Sequence, residues 1–75
     1  MQIRLRDFMD VNAFSKGIQF FDGVIDVKQG TRIGDAKSIL QLYSMDLSKP
    51  IDISIITENK DVERDFYNYV RIWSV

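Results

Sequence analysis

The chain has 75 residues, no Cys and no His, and ten basic against eleven acidic residues, for a net charge of −1. That length fits one small domain, and the missing residue types exclude disulfides, thiolate or imidazole metal sites and His- or Cys-based catalysis. The 45% apolar content marks a folded chain, while the basic residues, from Arg4 and Arg6 to Arg71, are scattered without the run that nucleic-acid binding calls for.

Gln2-Ile3-Arg4-Leu5-Arg6 alternates polar and apolar residues, which predicts a strand over 2–6 with Ile3 and Leu5 inward. Asp7 can cap a helix over 8–20, in which Val11, Phe14, Ile18 and Phe21 recur at spacings of three and four. Gly17 weakens that helix by about 1 kcal/mol relative to Ala. After an Asp22-Gly23 turn, Val24-Ile25-Asp26-Val27-Lys28 reads as a strand over 23–28. The tight turn at Gln29-Gly30 then gives a hairpin into a strand over 31–34.

Asp35 is a candidate N-cap for a second helix over 36–46. Its buried line is expected through Ala36, Ile39 or Leu40, and Tyr43, with Leu42 and Met45 off it. The helix has more apolar residues than one stripe can bury, so some stay exposed, as on a docking surface. Ser38 falls in its first turn, where a phosphoryl group would meet free N–H groups and the positive end of the helix dipole. Pro50 stops any helix before it, and 50–56 is the clearest strand: Ile51, Ile53 and Ile55 share one face, Asp52 and Ser54 the other. Val62, Phe66, Tyr69 or Val70, and Trp73 mark a last helix over 60–72. The order βαββαβα, with strands that show one apolar face, predicts an α+β, two-layer, open-faced sandwich with all three helices on one side.

This order resembles HPr, the small phosphocarrier of the bacterial sugar phosphotransferase system. The residues that carry the likeness are Asp35-Ala36-Lys37-Ser38-Ile39-Leu40 at the second helix and the strand that follows Leu47-Ser48-Lys49-Pro50, within a stretch from about Phe20 to Ile56. The resemblance implies an antiparallel four-stranded sheet in order 1-4-2-3. HPr carries its phosphate on a His in the loop between the first strand and the first helix. This chain has no His, and Arg6 runs almost directly into Asp7, so the loop is missing too. Phosphohistidine needs an imidazole nucleophile, and the chain therefore looks like a shortened branch without the phosphocarrier site. By the same resemblance, Ser38 matches the serine modified by the family's regulatory kinase. Lys37, Ile39, Leu40 and Tyr43 match the region that docks phosphotransferase enzymes and, when phosphorylated, a transcription regulator.

The expectation is a non-enzymatic, regulatory protein-interaction module, docking through Lys37, Ile39, Leu40 and Tyr43 and switched by phosphate at Ser38. Its partner would be a phosphotransferase-system or regulatory protein; no cofactor, metal, nucleic acid or membrane is implied. No leader-like apolar core or membrane-length window is present, so a cytoplasmic location is expected, as a monomer or weak homodimer. Plainer readings compete. Ser38 can be an ordinary helix-start serine, and Ile39, Leu40 and Tyr43 can be packing residues. Phe66, Tyr67, Tyr69 and Trp73 read as core aromatics with a surplus able to seal a homodimer. Glu58, Asp61, Glu63 and Asp65 suit a helix start, and Asp22 with Asp26 lacks the ligand count of a calcium loop. No nucleophile stands beside a base. The alternative function is a small-molecule sensor on the open sheet face, using Arg4, Arg6, Asp52 and Ser54.

Overall fold

Strict alternation in one strand decides which side of the sheet is dry. In the computed structural model, which describes all residues from Met1 to Val75, β4 (Ile51–Ile56) buries Ile51, Ile53 and Ile55 and exposes Asp52, Ser54 and Ile56. β2 (Val24–Gln29) pairs with it antiparallel, Ile25 opposite Ile55 and Val27 opposite Ile53, so the dry faces coincide. β1 (Gln2–Ile3) flanks β4, and β3 (Arg32–Asp35) flanks β2. The sheet is antiparallel throughout, in the order β1-β4-β2-β3. Three helices cover the dry face: α1 (Phe8–Ile18), α2 (Ile39–Tyr43) and α3 (Lys60–Val70), the last continuing into a 3-10 turn at Arg71–Trp73. One core joins Val11, Phe14 and Ile18 of α1, Leu42 of α2, and Phe66 and Val70 of α3 to the sheet isoleucines. The architecture is the open-faced sandwich that the alternation predicts.

Caps fix two helix starts. The Asp7 carboxylate accepts the Asp10 N–H at 2.9 Å, and Asn59 Oδ1 accepts those of Asp61 and Val62 at 2.9 and 3.2 Å. Gly30, at φ 60°, opens the two-residue loop between β2 and β3, a conformation that favours glycine. At that end of β2 the Gln29 amide accepts the Asp46 N–H at 2.7 Å and donates to the Asp46 carbonyl at 2.8 Å, which ties the α2–β4 connection to the hairpin.

Two expected elements are shorter than their sequence patterns. β1 covers only Gln2–Ile3, because beyond it the Arg4 N–H donates to the Trp73 carbonyl at 2.8 Å instead of to β4. Leu5 is still fully buried and Arg4 and Arg6 exposed, so the alternation gave the faces correctly. The second helix spans Ile39–Tyr43, not 36–46. The Ala36 N–H donates to the Ile25 carbonyl at 2.8 Å, so the sheet's hydrogen bonding extends past β3 and holds this residue out of a helix. Asp35 is therefore the end of β3 and no N-cap; its carboxylate accepts the Lys37 N–H at 2.9 Å in a local turn. Ser38 is the N-cap and not a first-turn residue, with extended φ −91° and ψ 110° and no side-chain capping bond. The expected stripe is also reversed: Leu42 and Met45 are buried, while Ile39, Leu40 and Tyr43 face outward. Ala36 is buried as a sheet neighbour, so it does not set the phase of the helix.

The Tyr69 side chain of α3 bridges to α1 at Gly17, which has no side chain to obstruct it. The Tyr69 ring lies over it, in the space a Cβ would need, and the Tyr69 hydroxyl donates to the Ala13 carbonyl at 2.8 Å. Edge-on contacts extend this seam from Tyr69 to Trp73 at 5.4 Å and from Trp73 to Phe14 at 5.5 Å. Burial pushes the Tyr69 phenol above its ordinary 10.0.

Gly17→Ala, a change that gains about 1 kcal/mol in an unobstructed helix, is expected here to lower stability by about 1–3 kcal/mol because Tyr69 must be displaced; urea unfolding measures it. Tyr69→Phe should cost about 1 kcal/mol through the lost hydrogen bond. It should also flatten the alkaline limb of the stability curve. With its pKa raised by folding, Tyr69 contributes stability that is full below its ordinary 10.0 and lost as pH rises through the folded value. Unfolding free energies from about pH 8 to about pH 11 compare the two proteins in this window.

Candidate functional site

The helical period puts Val11, Phe14, Ser15 and Ile18 of α1 against the core. Met9, Ala13, Lys16 and the following Phe20 lie on the opposite side, and this solvent face carries a single charge. Met9 is 79% exposed and Phe20 88%. At the start of α1, the exposed Phe8 packs edge-on against Tyr43 of α2, with centroids 5.6 Å apart. The Tyr43 hydroxyl donates to Asn12 Oδ1 at 3.1 Å. These contacts join α1 to α2 at the surface. Leu40, one turn before Tyr43, is 78% exposed, and Ile39 lies beside it. Phe8, Met9, Ile39, Leu40 and Tyr43 are thus exposed apolar side chains of two helices that meet through Phe8 and Tyr43.

Of the residues singled out from the sequence, Ile39, Leu40 and Tyr43 are brought together on this surface. Lys37 is not free: its ammonium donates to the Phe21 carbonyl at 2.7 Å, and its own carbonyl accepts from the Gln19 amide at 3.1 Å. It braces the approach to α2. Ser38 is half-buried directly before Ile39. Since α2 is only five residues long, a phosphate on Ser38 would gain little from a helix dipole; its effect would come from charge set beside Ile39 and Leu40. The α1 half of the surface was missed by sequence reasoning. The signal was there: three of the four positions opposite the buried stripe of α1 are apolar, where a surface helix is usually charged.

Two carboxylates at the N-terminus of α1 are bonded to nearby backbone N–H groups. Asp7 takes the Asp10 N–H at 2.9 Å, and Asp10 takes the Arg6 N–H at 2.9 Å. The concave features lie elsewhere, along β3. One groove of about 600 Å³ lies between the β2–β3 turn and the α2–β4 connection, with Arg32, Asp46 and Lys49 in its wall. A second of about 530 Å³ lies between β3 and α2. Arg4, Arg6, Asp52 and Ser54 line neither. At the first groove the Ser48 hydroxyl and N–H, at 2.6 and 3.0 Å, hold the Asp46 carboxyl below its usual 3.8. No three acidic side chains converge in a metal-holding arrangement, and no helix is long and apolar enough to cross a membrane. No protein-family model matches the chain, and no curated protein matches it.

Proposed function

We propose that the domain is a non-enzymatic docking module of HPr-like kind that binds a protein through the outward faces of α1 and α2. The observation that carries this reading is the apolar surface of Phe8, Met9, Ile39, Leu40 and Tyr43, in which Met9 and Leu40 are more than three-quarters exposed. Large exposed apolar side chains that join across two elements are a feature of recognition surfaces. The resemblance in sequence and the 1-4-2-3 sheet support a partner of the class that HPr-like domains dock, a phosphotransferase enzyme or a regulator. Ser38, directly before Ile39, would modulate such docking when phosphorylated. A phosphoryl group there brings a charge of about −2 beside Ile39, which disfavours a purely apolar partner through desolvation and favours one that offers Arg.

The test is binding to the first enzyme of the phosphotransferase system and to the transcription regulator that HPr-like proteins engage. Met9→Asp and Leu40→Asp each place a charge at the apolar contact and should weaken binding roughly 10- to 100-fold. Both positions are exposed, so stability should stay within about 0.5 kcal/mol. If neither protein binds, or binding is indifferent to both substitutions, the docking surface is wrongly assigned. Ser38→Asp should change affinity without changing the unfolding midpoint. Incubation with the first enzyme and phosphoenolpyruvate should leave no acid-labile phosphate on the chain, because it has no imidazole to accept it.

A further inference from the structure

The two edges of the sheet are treated differently. On the β1 side the C-terminal residues close the edge: the Arg4 N–H donates to the Trp73 carbonyl at 2.8 Å, the Val75 N–H to the Gln2 carbonyl at 3.2 Å, and Ile3 bridges Ser74. On the β3 side no strand follows. The two-residue loop makes Gln29 and Arg32 a hydrogen-bonded pair, and Val27 with Gly34 the next one. Alternation then turns the N–H and C=O of Ile33 away from β2, and the Ile33 side chain is 71% exposed. Asp35, two residues on, points its N–H the same way, where it is met by Gln41 Oε1 at 2.5 Å.

We propose that β3 pairs antiparallel with the β3 of a second copy about a two-fold axis at Ile33, joining two four-stranded sheets into one. The axis must stand normal to the sheet, so that dry face continues dry face, and only residues of like orientation can then oppose each other. With Ile33 against Ile33, this register sets Thr31 against Asp35 and Arg32 against Gly34. The exposed isoleucines cover one another and the Thr hydroxyl reaches a carboxylate, while Arg32, whose guanidinium donates to the Ser44 carbonyl of its own chain, stands against Gly34, over which Gln41 lies. Centring the axis on Gly34 would set Ile33 against a carboxylate, and centring it on Asp35 would oppose two carboxylates. Each copy has one free edge, so the pairing closes as a dimer and cannot propagate. The ladder is short and Gln41 competes for the Asp35 N–H, so the dimer is weak.

Sedimentation equilibrium on the purified chain tests this, with a dissociation constant of roughly 0.1–1 mM expected and no species beyond the dimer. Ile33→Lys puts two ammonium groups at the axis. Ile33→Pro removes an N–H that the monomer does not use. Each should weaken the dimer at least about 10-fold, with circular dichroism unchanged for Ile33→Lys even where the proline is not tolerated. Gln41→Ala should tighten it by freeing the Asp35 N–H; weakening would count against this register. Leu40→Asp, on the α1–α2 surface, should leave the dimer alone, which separates this proposal from the docking function. A wild-type chain that stays monomeric at millimolar concentration, a dimer that survives Ile33→Lys, or one lost with Leu40→Asp overturns it.

Discussion

The central β2–β4 ladder is the constraint on which the rest depends. Its five residue pairs place Ile25 against Ile55 and Val27 against Ile53 on one face and Asp26 against Ser54 and Lys28 against Asp52 on the other. A sheet with one dry face can be covered on one side only, so three helices must share about the width of four strands. The α1–α3 seam is filled by one long side chain, and α2 is short. Gly17 has a helix-weakening cost, yet it lets Tyr69 reach the Ala13 carbonyl and seal the outer margin of the core. α2, held by the sheet bond at Ala36 on one side and the Gln29 clamp at Asp46 on the other, has room for little more than one turn.

That short tether controls which side chains of α2 reach solvent. Between two fixed ends the helix has one available phase, the one that buries Leu42 and leaves Leu40 outside. Exposure of Leu40, Ile39 and Tyr43 thus follows from the sheet and not from a weak local preference. It is met by a second exposed apolar set on α1, which no packing demand explains. Phe8 closes on Tyr43, but Met9 and Phe20 point to water. Exposed apolar residues on two elements that touch through Phe8 and Tyr43 make a stronger case for recognition than either helix alone.

Much of the fold was legible because alternation and the three-to-four spacing are strong signals over six residues or more. Ile51 to Ile56 and Val11 to Ile18 were read correctly to the face. The failures fall where long-range hydrogen bonds override local pattern. Nothing in Asp35-Ala36-Lys37-Ser38 announces that Ala36 will bond to Ile25 across the sheet, so Asp35 looked like a cap and Ser38 like a first-turn residue. Arg4 likewise leaves the ladder for Trp73, sixty-nine positions away. On the surface, Ile39, Leu40 and Tyr43 were legible as a surplus, while the apolar positions opposite the buried stripe of α1, Met9 among them, were a signal that the stripe itself overshadowed. Lys37 illustrates the limit of reading charge from sequence, since its ammonium is held by the Phe21 carbonyl.

The junction between β1 and α1 carries the sharpest difference from the carriers the sequence resembles. A phosphohistidine at such a junction needs an imidazole, and it also needs free N–H groups at the helix start to stabilise the phosphoryl charge. Here the imidazole is missing, and one of the N–H groups is already taken: Asp7 accepts the Asp10 N–H, and the Asp10 carboxylate accepts the Arg6 N–H, so two negative side chains stand at the helix start. A histidine placed in the preceding residues would therefore face two carboxylates, which disfavour a phosphoryl group there. The two carboxylates disfavour an anion at this helix start, and the exposed Phe8 and Met9 beside them favour apolar contact instead.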